Sequence, residues 1–145
     1  MPKIKVLFLC TGNSCRSQMA EGWARHLRGA VMAPCSAGIE KHGMNPSAIQ
    51  VMAEAGVDIT PQFSKTLDAL AGVEFDYVIT VCDHAHEQCP IFPGQARVIH
   101  VGFDDPPKLA AELSDGEAQL AVYRRVRDQI RAFIETLPGA LPGRN

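Results

Sequence analysis

At 145 residues with a net charge of −2, the chain has the size of one compact domain and no basic block to hold nucleic acid. Its apolar runs are too short for a signal peptide or a membrane span, so a cytoplasmic protein with no membrane partner is expected. Five cysteines in that reducing compartment argue for catalysis, redox cycling or metal binding and against a structural disulfide framework.

The first apolar run, Ile4-Lys-Val-Leu-Phe-Leu9, reads as a buried strand within Lys3–Leu9. Ser17 to Leu27 reads as a helix, with Met19, Trp23 and Leu27 four apart. Further strands are expected at Val31–Ser36, Phe75–Val81 and Arg97–Val101. Asn45 should cap a second helix, with Pro46 at its first position, Ile49 and Met52 facing inward and Gly56 as the stop. Ser114-x-x-Glu117 reads as a capping box opening the last helix, whose apolar stripe is Leu120, Tyr123, Ile130, Phe133, Ile134 and Leu137. Strands alternating with helices mark a parallel α/β sheet. The single domain is expected to span 1–137, with a Gly/Pro-rich tail at 138–145 that frays.

The segment between the first strand and the first helix, Cys10-Thr-Gly-Asn-Ser-Cys-Arg16, carries the chemistry. A strand-to-helix loop aims backbone N–H groups and the positive helix end into one cup, which suits a tetrahedral oxyanion. Thr11, Gly12, Asn13, Ser14, Cys15, Arg16 and Ser17 are the expected oxyanion-binding set, Arg16 adding a planar fork of donors. In that field Cys10 is expected to ionise readily and act as a nucleophile, and Ser17 can donate a hydrogen bond to its sulfur. A buried cysteine followed by a surface arginine is the plain alternative.

This loop resembles the signature of low-molecular-weight tyrosine phosphatases. The wider chain resembles the thioredoxin-coupled arsenate reductases built on that fold, through Cys10–Trp23, Ser36-Ala-Gly-Ile-Glu40, His42-Gly43, Asn45-Pro46, Cys82 with Cys89-Pro90, Gly102-Phe-Asp-Asp-Pro106 and Arg124-Arg-Val-Arg-Asp128. The resemblance implies a flavodoxin-like three-layer sandwich with a four-stranded parallel sheet in the order 2-1-3-4 and helices on both faces. In that order Cys10, Cys82 and Asp105 follow strands 1, 3 and 4 on the same sheet edge, where ligands of open α/β sheets bind.

The implied activity is reduction of arsenate to arsenite by a relay from Cys10 to Cys82 to Cys89, in a monomer with no bound cofactor and with thioredoxin as reductant. Asp105 takes the place of the phosphatase general acid. Cys82 and Cys89 lie in a polar segment expected to reach solvent. They can instead be unrelated surface thiols, or with His86 and nearby His84 a zinc site; no metal is assigned. A low-molecular-weight tyrosine phosphatase or a small phosphoester phosphatase is the alternative function, with water replacing Cys82. Pro107 stands where tyrosine phosphatases tend to carry an aromatic residue, which disfavours a flat phenyl substrate.

Cys15 should fill or brace the loop, Cys35 should be a buried small hydrophobe, and His42 can brace the loop. The resemblance also implies a cation beside the loop, held at positions matching Asn13, Glu21 and Ser36. Lys65 stands where an acidic ligand would be and Phe63 where a hydroxyl would be, so the Lys65 ammonium is expected to replace the ion.

Overall fold

The computed structural model describes residues 2–82 and 96–143. Four parallel strands, β1 (Ile4–Cys10), β2 (Met32–Gly38), β3 (Tyr77–Thr80) and β4 (Arg97–His100), form one sheet in the order β2-β1-β3-β4. Among the described residues the helices are α1 (Arg16–Arg28), α2 (Pro46–Glu54), the short α3 (Pro106–Ala110) and the long α4 (Gly116–Glu135), with a 3-10 turn at Leu67–Leu70. The expected strand order holds.

β1 sits at the centre of the sheet, so its side chains are covered on both faces. Val6, Leu7, Phe8 and Leu9 are all fully buried, each such side chain contributing about 2 kcal/mol relative to exposure. The register pairs Cys10 with Gly38, Leu9 with Thr80, and Thr80 with His100. The carboxyl ends of the strands therefore finish nearly level, and the segments leaving them meet at one edge.

Asn45 caps α2 as expected, its side chain accepting from Ser47 N and Ala48 N, with Pro46 in the first turn. Gly56 stops the helix in the left-handed region at φ 85°, while Val57 N donates to Met52 O and Gly56 N to Ala53 O. That paired closure satisfies the last carbonyls and favours glycine. Gly22 serves packing: a Cβ there would stand 2.6 Å from Ile59 Cγ2.

Two expectations change. The last helix is capped by Asp115, whose carboxylate accepts from Ala118 N, one residue beyond the expected Ser114. The tail, expected to fray, is packed at its described residues: Leu141 is buried and Pro142 O accepts a 2.7 Å bond from the Tyr77 hydroxyl. Arg28 holds the approach to it by donating to Leu137 O and Glu135 O. No helix among the described residues is long and apolar enough to cross a membrane.

Candidate active site

The loop from Cys10 to Cys15 is turned inside out relative to an ordinary turn, because every one of its carbonyls is bonded from outside. Cys10 O accepts from Ile39 N, Thr11 O from Glu40 N, Gly12 O from His42 N and Ser64 Oγ, and Ser14 O from Asn45 N. Asn13 O accepts from the Gln18 side chain and Cys15 O from Met19 N. With the carbonyls facing outward, the amides from Gly12 to Arg16 are left for the concave side at the start of α1, where the helix dipole adds positive potential. Cys15, the N-cap, supplies no side-chain hydrogen bond to those amides.

Two loop residues make this path possible. Asn13 is left-handed at φ 50°, a region asparagine tolerates better than most residues. Gly12 has no side chain because the His42 imidazole occupies the space a Cβ would need. His42 is itself held by Glu40 at 2.7 Å, so it braces the loop.

Arg16 reaches from the loop to the turn after β4. Its guanidinium donates to Phe103 O at 3.0 Å and stands 3.6 Å from the Asp105 carboxylate. Asp105 is the N-cap of α3, yet its carboxylate makes no capping bond and so remains directed at Arg16. With Arg16 only 11% exposed and Asp105 39% exposed at the side chain, an ion-binding group and a candidate proton donor sit side by side at the mouth of the cup.

Cys82 follows β3 directly and is buried, where solvent access was expected. Its sulfur lies 3.2 Å from the Thr11 hydroxyl and is hydrogen-bonded to Cys10. That bond is the main influence pushing the Cys10 thiol well above its usual value; burial adds to the push, while Arg16 and the Thr11 amide oppose it. The ready ionisation expected for Cys10 is thus offset in this state, because two thiols sharing one buried pocket cannot both carry charge. Ser17 accepts from Asn13 Nδ2, and no bond from it to the Cys10 sulfur is present among the described residues. Cys15 is buried and its thiol is pushed up to about 12, chiefly by desolvation. Cys35 is half-buried on β2, more open than expected. Cys89, His84 and His86 lie outside the described residues, and with them the zinc alternative.

Behind the loop lies a polar cluster. Ser36 donates to Glu21 at 2.6 Å and Arg25 donates to the other Glu21 oxygen at 2.7 Å. The Lys65 ammonium stands 3.9 Å from Glu21, donates to Phe63 O and lies 4.6 Å from the centre of the Phe63 ring. Asn13 Oδ1, however, is met by the Lys65 backbone N–H and not by its ammonium.

Sequence reading overlooked Gln18 and Gln62, which are wired into this cluster. Gln18, in the first turn of α1, is fully buried against the loop. Its place beside Met19 offered no signal, since an uncharged amide looks the same whether it faces water or core.

The family model for low molecular weight phosphotyrosine protein phosphatase matches residues 5–141. An arsenate reductase of Halalkalibacterium halodurans is 50% identical over 136 residues, covering 94% of this chain and 96% of that protein. A solved arsenate reductase in the phosphate binding state is 33% identical with a TM-score of 0.66, covering 92% of this chain and 95% of the other. A low molecular weight protein tyrosine phosphatase from T. tengcongensis is 25% identical with a TM-score of 0.72, covering 96% and 100% respectively.

Proposed function

From the premise that the chain belongs to the low molecular weight phosphotyrosine protein phosphatase family, we propose that this member reduces arsenate to arsenite. The observation that carries the reading is the hydrogen-bonded pair of thiols, Cys10 at the start of the oxyanion-shaped loop and Cys82 just beyond β3, which also meets the loop at Thr11. Phosphoester hydrolysis needs the first thiol; a second one in contact with it is what a two-electron reduction needs.

Arsenate is received by the loop amides and Arg16, as a dianion shaped like phosphate. The Cys10 thiolate attacks arsenic, and Asp105 protonates the departing oxygen, which leaves as water. Cys82 then attacks the Cys10 sulfur. A Cys10–Cys82 disulfide forms, the Cys10–arsenic bond breaks, and its electron pair stays on arsenic, which departs as arsenite. Cys89 attacks Cys82, releasing Cys10 as thiolate and leaving a Cys82–Cys89 disulfide. Thioredoxin reduces that disulfide, restoring both thiols. The protein acts in the cytoplasm as a monomer, without a bound cofactor. Pro107 beside Asp105 fits a small inorganic substrate, since no aromatic wall stands at that position.

A phosphatase reading is supported by one observation: Arg16 stands 3.6 Å from Asp105 beside the Cys10 loop, a set that serves both chemistries, so weak phosphoester hydrolysis accompanies the main activity. The decisive experiment supplies arsenate, thioredoxin, its reductase and NADPH, and measures arsenite. Catalytic arsenite formation in the wild type, lost in Cys10→Ser together with any phosphatase activity, is expected. Phosphoester turnover with no arsenite formed would overturn the reading.

A further inference from the structure

Gln62 and Gln18 form a continuous amide chain from the protein surface to the oxyanion loop. Arg25 donates to Gln62 Oε1 at 2.9 Å, and Gln62 Nε2 donates to Gln18 Oε1 at 2.8 Å and to Gln18 O at 3.0 Å. Gln18 Nε2 in turn faces Asn13 Oδ1 at 2.9 Å, Asn13 O at 3.1 Å and Phe63 O at 3.0 Å. Asn13 Nδ2 ends the chain on Ser17 Oγ at 2.9 Å.

Each amide is oriented by a group that can play only one role. A guanidinium only donates and a carbonyl only accepts, so Arg25 and Gln18 O together fix which end of Gln62 faces inward. The carbonyls of Asn13 and Phe63 fix Gln18, and the Lys65 backbone N–H fixes Asn13. Neither glutamine can flip without losing a bond at both ends, and Asn13 cannot flip without losing those to Gln18 Nε2 and the Lys65 backbone N–H.

The peptide between Asn13 and Ser14 is the point this chain controls. Asn13 holds φ 50°, outside the common regions, and its carbonyl is drawn outward by Gln18. Were that peptide to rotate, the carbonyl oxygen would turn into the cup and face the oxygens of a bound anion, and the Ser14 amide would turn away. We propose that Gln18, oriented by Gln62, is a positioning residue that holds the 13–14 peptide in its anion-binding orientation. This rests on the oxyanion-binding part of the proposed function, and it assigns a further determinant of oxyanion affinity outside the Cys-to-Arg loop.

The test uses inorganic phosphate as the probe, measured by calorimetry, alongside the rate of Cys10 alkylation by neutral iodoacetamide. Gln18→Met keeps length and loses the amide. Its phosphate affinity should fall about tenfold, the effect of roughly 1.4 kcal/mol, while alkylation stays within about twofold because the thiol's own partners are untouched. Gln62→Met, which leaves Gln18 held by the Asn13 and Phe63 carbonyls but removes the donor to its Oε1, should lose affinity in the same direction by a smaller factor, and it carries the test where Gln18→Met fails to fold. Arsenate turnover should show the loss in KM and not in kcat. Phosphate affinity within twofold of wild type in a folded Gln18→Met, or alkylation altered as much as affinity, would overturn the assignment. Failure of wild-type protein to bind phosphate would remove the oxyanion reading along with it, whereas phosphate binding without arsenate reduction would spare this assignment and sink only the reductase.

Discussion

The hydroxyl of Thr11 and the sulfur of Cys82, 71 positions apart in the chain, stand 3.2 Å from each other at the carboxyl edge of β1 and β3. The contact ties the second thiol to the loop that holds the first. It follows from the parallel pairing of Leu9 with Thr80, which brings the residues after both strands to one level. Thr11→Val keeps the shape and removes the polar partner. Single-turnover arsenite release should slow about five- to tenfold, the range of one hydrogen bond of roughly 1 kcal/mol, with phosphate binding retained. An unchanged release rate would show that Thr11 does not guide Cys82.

Cys82→Ser and Cys89→Ser should part company. Both lose multiple turnover with thioredoxin and keep phosphoester hydrolysis. Cys89→Ser should still release one equivalent of arsenite and trap a Cys10–Cys82 disulfide, whereas Cys82→Ser releases none. Peptide mapping by mass spectrometry after one arsenate exposure decides this; no Cys82-containing disulfide in any variant would end the relay.

Lys65→Ala should lower both thermal stability and arsenate turnover, because it leaves Glu21, a buried carboxylate, with Arg25 as its remaining cationic partner. Because Glu21 keeps Arg25 and the Ser36 hydroxyl, the loss of this longer ion pair should cost on the order of 1 kcal/mol. In the wild type, exchanging sodium for potassium at equal ionic strength should change neither property. Activation by potassium would show an ion site that Lys65 does not fill.

The thiol of Cys15 makes stability fall at high pH. Its ionisation is pushed up to about 12 in the folded protein, against roughly 8.5 for an exposed thiol. Between those values the unfolded chain sheds a proton that the folded one keeps, so stability is intact below the lower value and declines as pH rises toward the higher. Denaturant unfolding measured from pH 8 to 11 should show this decline in the wild type and a shallower one in Cys15→Ala. Equal slopes would mean that Cys15 ionises as freely folded as unfolded.

Hydrophobic periodicity made the frame legible. The run from Ile4 to Leu9 read as a buried strand, and Asn45-Pro46 with Gly56 marked both ends of α2 by their backbone chemistry. The Cys10–Arg16 spacing likewise marked the loop. What stayed hidden were pairings between polar residues distant in sequence: Gln18 with Gln62, Thr11 with Cys82, Asn45 with Tyr123. Amides and hydroxyls have no periodic signature, and their partners are set by packing. The meeting of Cys10 with Cys82 was legible from the strand order, whereas the hydrogen bond by which Cys82 opposes Arg16 on the Cys10 thiol was not.

The outward-facing carbonyls of the loop bear on how the protein folds. Their partners come from residues 39–45 and 64, as well as from α1, so the cup cannot exist as a local fragment. It takes shape only once β2 has joined β1 and the chain beyond α2 has returned to the loop. An oxyanion therefore recognises the completed fold and has little to bind in the unfolded chain. Saturating phosphate at a hundred times its dissociation constant should then raise global stability by about 2.7 kcal/mol through mass action, protecting the distant α4 as well as the loop.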